Sequence, residues 1–176
     1  MNHAKAFVEL DKQNHDRTSF DCGEAELNNF IKQFAAKHMH ANISKTMVLP
    51  TVKPLPSGKR GLCAFYTVTP SAIQRETLPA NMAKKLPHYP VPVFLIAQLA
   101  VDKSCQGKGL GKITLTKALE YLFEVNKHMK AYAVVVDCLN SSAQQFYLQF
   151  GFQTLNHHNN RTRMFLPMKT VAHLFK

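Results

Sequence analysis

The sequence predicts a mixed α/β architecture, one sheet with helices packed on it, within a single domain over residues 1–176. Two nearly all-apolar runs, VFLIAQLAV (93–101) and AYAVVVDC (131–138), read as strands buried on both faces. The segments between and after them place apolar residues at helical spacing. At 176 residues and 45% hydrophobic content, the chain can build one proper core and is short for two.

Taken in order, AFVEL (6–10) suits a short strand. DCGEAELNNFIKQFAAKHMHA (21–41) reads as a helix with Leu27, Phe30, Ile31, Phe34 and Ala35 on its inward face. Asp21 and Glu24 have the spacing of a capping box at its start. KTMVLPT (45–51) and RGLCAFYTV (60–68) read as a strand pair joined by the turn PLPSGK. The proline-punctuated 79–92 reads as a shaped loop with room for a short helix. After the apolar strand come the glycine loop SCQGKGLGK (104–112) and a helix from about Gly109 to His128, with Ile113, Leu115, Ala118, Leu119, Leu122 and Phe123 inward. The second apolar strand leads to a short helix in NSSAQQFYLQFGF (140–152), ended by Gly151, and RMFLPMK (163–169) is the last strand.

Composition narrows the function classes. The N-terminus has no apolar stretch before its charges, and the longest apolar run is too short to cross a membrane, so a soluble cytoplasmic protein with no membrane partner is expected. The four cysteines are scattered without a CxxC pair, and the histidines of HMH (38–40) and His157-His158 lack further ligands, so no metal is expected. The 22 Lys+Arg exceed the 11 Asp+Glu, and no acid occurs between Leu27 and Arg75 or after Asp137. Such a field draws a polyanion. The plain alternative is a basic surface kept for solubility.

The glycine loop is the sharpest signal. A strand that enters a glycine-rich turn and then a helix aims several backbone N–H groups at one spot, where the helix dipole favours phosphate. The dinucleotide fingerprint GxGxxG fails because Lys112 stands where its last glycine belongs. The Walker pattern fails because Gln106 replaces its first glycine and Ile113 follows Gly111-Lys112. The pattern Q/R-x-x-G-x-G/A is met by Gln106, Gly109 and Gly111. Downstream, NSSAQQFYLQFGF supplies N-x-x-A-x-x-x-Y followed by an F-G-F element. Asn140 also suits a helix N-cap, and Phe146, Phe150 and Phe152 also suit a core.

With both motifs in this order, the chain resembles the GCN5-related N-acetyltransferase (GNAT) superfamily. The blocks FDCGEAELNNFI, SKTMVL, GLCAFYTVTPSAI, LPHYPVPVFLIAQLAVD and RTRMFLPMKT extend the resemblance, over nearly the whole chain, to the GNAT toxins of bacterial type II toxin–antitoxin pairs. Gln106 stands where many acetyltransferases have Arg. The resemblance implies the GNAT fold, a mostly antiparallel sheet in which parallel strands 4 and 5 splay apart, flanked by helices. It implies acetyl-CoA as co-substrate, held by Leu99, Ala100, Val101, Gln106, Gly107, Lys108, Gly109, Leu110, Gly111, Lys112, Asn140, Ala143 and Phe146, with Tyr147 as the catalytic acid. It implies acetylation of the α-amino group of aminoacyl-tRNA, a ribbon-helix-helix antitoxin as partner, and room for a homodimer. The basic residues Lys32, Lys37, Lys45, Arg75, Lys84, Lys85, Arg161 and Arg163 then become the candidate tRNA contacts. Two other readings compete: a GNAT enzyme acting on a small amine or a protein N-terminus, and a GNAT-like module without catalysis.

Overall fold

The computed structural model describes residues 2–176, apart from the side chain of His158. Seven strands are arranged in the order β1-β2-β3-β4-β5-β7-β6. They are β1 (Val8–Glu9), β2 (Lys45–Pro54), β3 (Arg60–Ile73), β4 (Val91–Val101), β5 (Ala133–Cys138), β6 (Gln153–His158) and β7 (Arg161–Pro167). β4 and β5 pair in parallel, whereas β1/β2, β2/β3, β5/β7 and β6/β7 are antiparallel. The mixed, mostly antiparallel sheet expected from the sequence is thus present. By contact, the chain divides into two compact units, the first comprising residues up to Thr69 with Ala97–Ala118, the second Pro70–Ile96 with Leu119–Lys176.

In the first unit, α1 (Ala25–Asn29), a π turn (Phe30–Phe34) and α2 (Ala35–His40) succeed one another without a break. Ile31 and Ala35 are fully buried against Leu10, Phe20, Val48, Leu62 and Phe65. Each such apolar side chain removed from water is worth about 1.5–3 kcal/mol. Phe34, expected inward, is 42% exposed. The π turn inserts one residue into the helical spacing and carries Phe34 off the inward face. The expected capping box is also absent: Glu24 is the N-cap and makes no side-chain cap bond. Asp21 instead accepts from the Gly23 N–H and the Asn28 side-chain amide, both at 2.9 Å. β2 and β3 form the expected pair, with Thr46 and Thr67 sharing a buried hydroxyl contact of 2.6 Å.

In the second unit, β5 has all four residues Ala133–Val136 at 1% exposure or less, as a strand covered on both faces must. Its parallel register with β4 covers Val93–Ile96 against Ala133–Val136. The proline-rich segment holds a 3₁₀ turn at Arg75–Thr77 and the short α3 (Ala80–Ala83). α5 (Ser141–Leu148) packs on β5, and α6 (Met168–Leu174) on β5 and β7. β6 and α6 are additions to the sequence reading. β6 is polar and irregular, with a register shift between Thr154 and Asn156, so it shows no clean alternation. Asn159 and Asn160, with φ of 50° and 62°, turn it into β7 in the left-handed conformation that asparagine tolerates.

The helix α4 (Leu110–His128) buries Thr114, Leu115, Ala118, Leu119 and Leu122. Ile113, expected inward, is 45% exposed. Thr114 falls on the inward stripe with Leu110, Leu115, Ala118, Leu119 and Leu122, and its hydroxyl is satisfied there by the Leu110 carbonyl at 2.7 Å.

Candidate active site

In the first unit, β4 ends at Val101 and the chain turns at Asp102, a buried carboxylate. Asp102 accepts from the Asp21 N–H at 2.9 Å, the Ser104 N–H at 3.0 Å and the Ser104 hydroxyl at 2.6 Å, so it ties the turn to the segment before α1. Gln106 completes the tie. Its side-chain amide donates to the Val101 carbonyl at 2.8 Å and the Cys22 carbonyl at 3.1 Å. Gln106, expected among the residues that hold the co-substrate, thus also shapes the loop.

Gly107 and Gly109 have φ of +79° and +76°, a region that side chains disfavour, and a Cβ added at either would meet nothing within 4 Å. Bare backbone therefore faces open space at both positions. The first bond into α4 runs from the Ile113 N–H to the Gly109 carbonyl at 3.2 Å. The amides of Leu110, Gly111 and Lys112 precede it and, by helix geometry, have no intrahelical acceptor. Leu110 is 3% exposed and packs with Leu49, Cys63, Ala64, Val101 and Cys105, fixing where the helix begins; its contribution to a ligand is its backbone. Lys108 and Lys112 are exposed beside it. A positively polarised cradle with room to spare fits a pyrophosphate. Below it, burial pushes the Cys63 thiol up to about 12, with Cys105 as its thiol neighbour, so Cys63 is no nucleophile. Leu99 is half-buried, and Ala100 and Val101 are buried, leaving main-chain groups as what this stretch can offer a ligand.

In the second unit, Asn140 is the N-cap of α5: its side-chain oxygen accepts from the Ala143 N–H at 2.9 Å. That bond also occupies the Ala143 amide. Tyr147 lies one helical turn further on, 8% exposed. Its ring meets Phe146 edge-on at 5.2 Å and Phe152 at 5.3 Å, and Phe146 in turn meets Phe150 at 5.0 Å. Gly151, at φ +89°, lets the chain reverse so that the Phe152 N–H reaches the Tyr147 carbonyl at 3.3 Å. Burial pushes the Tyr147 phenol well above its usual range, and the nearby Cys138 adds to this. The phenol is therefore neutral near physiological pH and has a proton to give. Cys138 is itself raised to about 11 by burial and by Asp137.

The basic residues are unequal. Arg163 forms a bidentate pair with Asp137 across the β5–β7 ladder, at 2.7 and 2.9 Å, with its side chain 16% exposed. Of the candidate phosphate contacts it is thus one already engaged by a carboxylate. Arg75 donates to the Leu86 carbonyl at 3.1 Å, lies 3.7 Å from Glu76, and is only 15% exposed on its side chain. Lys37, Lys84 and Lys85 are exposed, while Lys32, Lys45 and Arg161 are half-buried. Asp102 and the Asp137–Arg163 pair escaped the sequence reading because each acts on residues far away in the chain. Among the described residues, no group of three or more His, Cys, Asp or Glu could hold a metal ion.

A family model described as "Acetyltransferase (GNAT) family" matches residues 79–152, the stretch that holds the glycine loop, Asn140 and Tyr147. The chain is 28% identical over 180 residues to a probable toxin TacT of Sinorhizobium fredii, spanning 97% of this chain and 96% of the relative. It is 30% identical over 139 residues to a tRNA-acetylating toxin of Mycobacterium tuberculosis, spanning 78% of each. Among solved structures it resembles AtaT in complex with acetyl-methionyl-tRNAfMet, with a TM-score of 0.86 and 27% identity over 97% of this chain and 99% of that one. It also resembles AtaTR bound with AcCoA, with a TM-score of 0.81 and 26% identity over 97% and 98% of the two chains. A third structure, a mutant AtaT toxin bound to the C-terminus of the antitoxin AtaR, shares the fold, with a TM-score of 0.81 at 23% identity over 97% and 98%. The chain belongs to the acetyltransferase (GNAT) family, alongside its tRNA-acetylating toxins.

Proposed function

We propose that this chain is a toxin that transfers an acetyl group from acetyl-CoA to the α-amino group of aminoacyl-tRNA and so blocks translation. The observation that carries the reading is the open glycine cradle at Gly107–Lys112, in a chain that also holds a buried, protonated Tyr147 and matches tRNA-acetylating relatives over most of its length. We also take residues 1–176 to work as one acetyltransferase domain, a view supported by relatives that align over 97% of the chain.

Acetyl-CoA supplies the acetyl group and a thiolate that must leave. The loop amides from Gly107 to Lys112, with Lys108 and Lys112, bind the pyrophosphate by charge-assisted hydrogen bonds. Asp102 and Gln106 hold that loop in shape from behind. Main-chain groups of Leu99, Ala100 and Val101 orient the acyl arm, and an N–H among them stabilises the oxygen on which negative charge develops. Asn140 and Phe146 contribute at the start and middle of α5, Asn140 as cap and Phe146 as packing for Tyr147.

The attacking amine needs little help. A free α-amino group has a pKa of roughly 7.7–8.0, against about 10.4 for lysine, so much of it is neutral near physiological pH. The proton it sheds leaves to solvent. Tyr147 donates its phenolic proton to the departing sulfur and is reprotonated afterwards. Burial keeps the phenol protonated until the thiolate departs.

The second substrate's phosphates meet exposed or half-exposed cations, among them Lys32, Lys37, Lys45, Lys84, Lys85 and Arg161. We assign the chain to the cytoplasm, where charged tRNA is found; among the described residues no helix is long and apolar enough to cross a membrane. A ribbon-helix-helix antitoxin is the expected partner. A homodimer is also part of the proposal, supported by apolar side chains left exposed in the second unit, Leu148 at 42% and Met129 at 72%.

Tyr147→Phe tests the reading. It keeps the ring contacts and deletes one hydroxyl, so turnover on charged tRNA should fall by about 10²–10⁴-fold while acetyl-CoA affinity stays the same. Expression of the variant should no longer arrest bacterial growth. A variant that acetylates charged tRNA at the native rate would remove Tyr147 from catalysis. A native chain that acetylates a free amine and no charged tRNA would replace the toxin reading with the small-amine one.

A further inference from the structure

The helical segment from Lys32 to His40 carries a feature that the reaction above does not use. Within the π turn the Ala35 N–H donates to the Phe30 carbonyl, five residues back. The backbone of Phe34 is pulled to φ −118° and its side chain stands 42% exposed, while its neighbours Ile31 and Ala35 are fully buried. His38, one turn on, lies against Phe34 with ring centroids 5.9 Å apart and planes tilted by 42°. His38 also meets Phe30 edge-on at 5.7 Å, and Phe30 stacks on the buried Phe65 at 6.3 Å with planes 20° apart. A file of rings thus runs from the core to the surface and ends in Phe34.

Core packing does not require this outermost ring, because Ile31 and Ala35 already fill the inward face. Its setting is cationic. No Asp or Glu occurs from Leu27 to Arg75, and Lys37 is exposed next to His38. An exposed aromatic backed by other rings and beside a lysine is the arrangement by which proteins take a splayed-out base on its π face and the adjoining phosphate on a cation. An apolar protein partner could also cover a ring, but the exposed Lys37 beside it and the net charge of +11 select for a polyanion.

We propose that Phe34, backed by His38, is a stacking platform for an unpaired nucleobase of the RNA substrate, with Lys37 on the neighbouring phosphate. The proposal rests on the tRNA reading above and deepens it.

The chain contains no tryptophan, so Phe34→Trp installs a single tryptophan at the platform, excited selectively over the five tyrosines. Titration with deacylated tRNA at low salt should quench its emission, with binding followed independently by anisotropy of end-labelled tRNA. Phe34→Leu keeps the apolar bulk and deletes the π face. It should raise KM for charged tRNA about 5- to 150-fold, the range for loss of one base–aromatic stack, with kcat and acetyl-CoA affinity unchanged. Phe34→Tyr should behave as native. Unchanged Trp emission while tRNA is seen to bind, or a native KM for Phe34→Leu, overturns the platform and leaves the acetyltransferase reading intact. Phe34→Leu with native tRNA kinetics but lost neutralisation by the antitoxin overturns it in favour of a protein interface. If the native chain acetylates no charged tRNA, the underlying reading fails; the quenching titration still decides whether RNA stacks on this ring.

Discussion

Gly109→Ala separates what the glycine loop does for folding from what it does for binding. Gly109 sits at φ +76° and an added Cβ would meet nothing within 4 Å, so the folded chain pays only the left-handed backbone penalty. That penalty is about 1–2 kcal/mol, or about 2–8 °C in Tm for a chain of this size. The β2–β3 turn provides a matched control: Gly58, at φ +87°, also has nothing within 4 Å of an ideal Cβ. Gly109→Ala and Gly58→Ala should therefore lose similar stability in calorimetry without ligand. Only Gly109→Ala places a methyl group in the cradle. Pushing the pyrophosphate off even one amide costs about 1.5–3 kcal/mol for a charge-assisted bond, which is about 10- to 150-fold in acetyl-CoA Kd. Titration calorimetry at equal folded fraction reads this directly. If Gly109→Ala binds acetyl-CoA as tightly as Gly58→Ala does, the loop is an ordinary turn and the reasoning fails.

Other outcomes follow from particular contacts. Arg163→Met leaves the Asp137 carboxylate without its bidentate partner and should cost about 1–3 kcal/mol in denaturant unfolding, with the salt dependence of tRNA binding unchanged; a salt slope reduced by about 1 would return Arg163 to the phosphate contacts. His15 is buried, and its Nδ1 accepts the Asp11 N–H at 2.9 Å. Burial lowers its pKa from 6.5, against the pull of Asp11 and with the help of Arg60, so below that value the unfolded state binds more protons than the folded one. Stability from this group is complete above 6.5 and is lost as pH falls toward the lowered folded value; Tm should drop on acidification from about pH 7 to about pH 5, and His15→Gln should flatten that drop. An equally steep drop in His15→Gln would point to another group. Affinity for charged tRNA should fall steeply with salt and affinity for acetyl-CoA less so, and joint charge reversal of Lys32 and Lys37 should weaken only the former.

The legible parts of this molecule are those whose physics is local. β4 and β5 could be read from apolar runs because burial on both faces leaves no polar alternation, and Val134 and Val136 are indeed as buried as Ala133 and Val135. Of the two glycines of the Q/R-x-x-G-x-G/A pattern, Gly109 takes the left-handed conformation that bare backbone allows, while Gly111 lies in the first turn of α4. Asn140 as a cap is likewise a matter of three residues. What escaped depends on distant partners or on a shift of register. Phe34 fits the inward stripe of an α-helix and leaves it only because the turn is a π turn. Ile113 gave its place to Thr114, whose hydroxyl finds a carbonyl in its own helix. Gln106 matches a ligand-binding pattern, yet its amide clasps Cys22, 84 residues earlier. That Arg163 pairs with a carboxylate became visible only once β7 paired with β5 and set it opposite Asp137. β6 was unreadable because a polar edge strand with a bulge shows no period.

In the proposed reaction the acetyl group goes to the α-amino group of an amino acid esterified to tRNA. The most direct measurement is mass spectrometry of the 3′-terminal aminoacyl-adenosine, released by nuclease from single-species charged tRNA after incubation with acetyl-CoA and the native chain. A mass increase of one acetyl group is expected on the aminoacyl moiety, located on its amino nitrogen by fragmentation. The increase should be absent with deacylated tRNA and much reduced with Tyr147→Phe. Acetyl-CoA turned over with every charged tRNA left at its original mass, or acetyl found on a nucleobase, would contradict it.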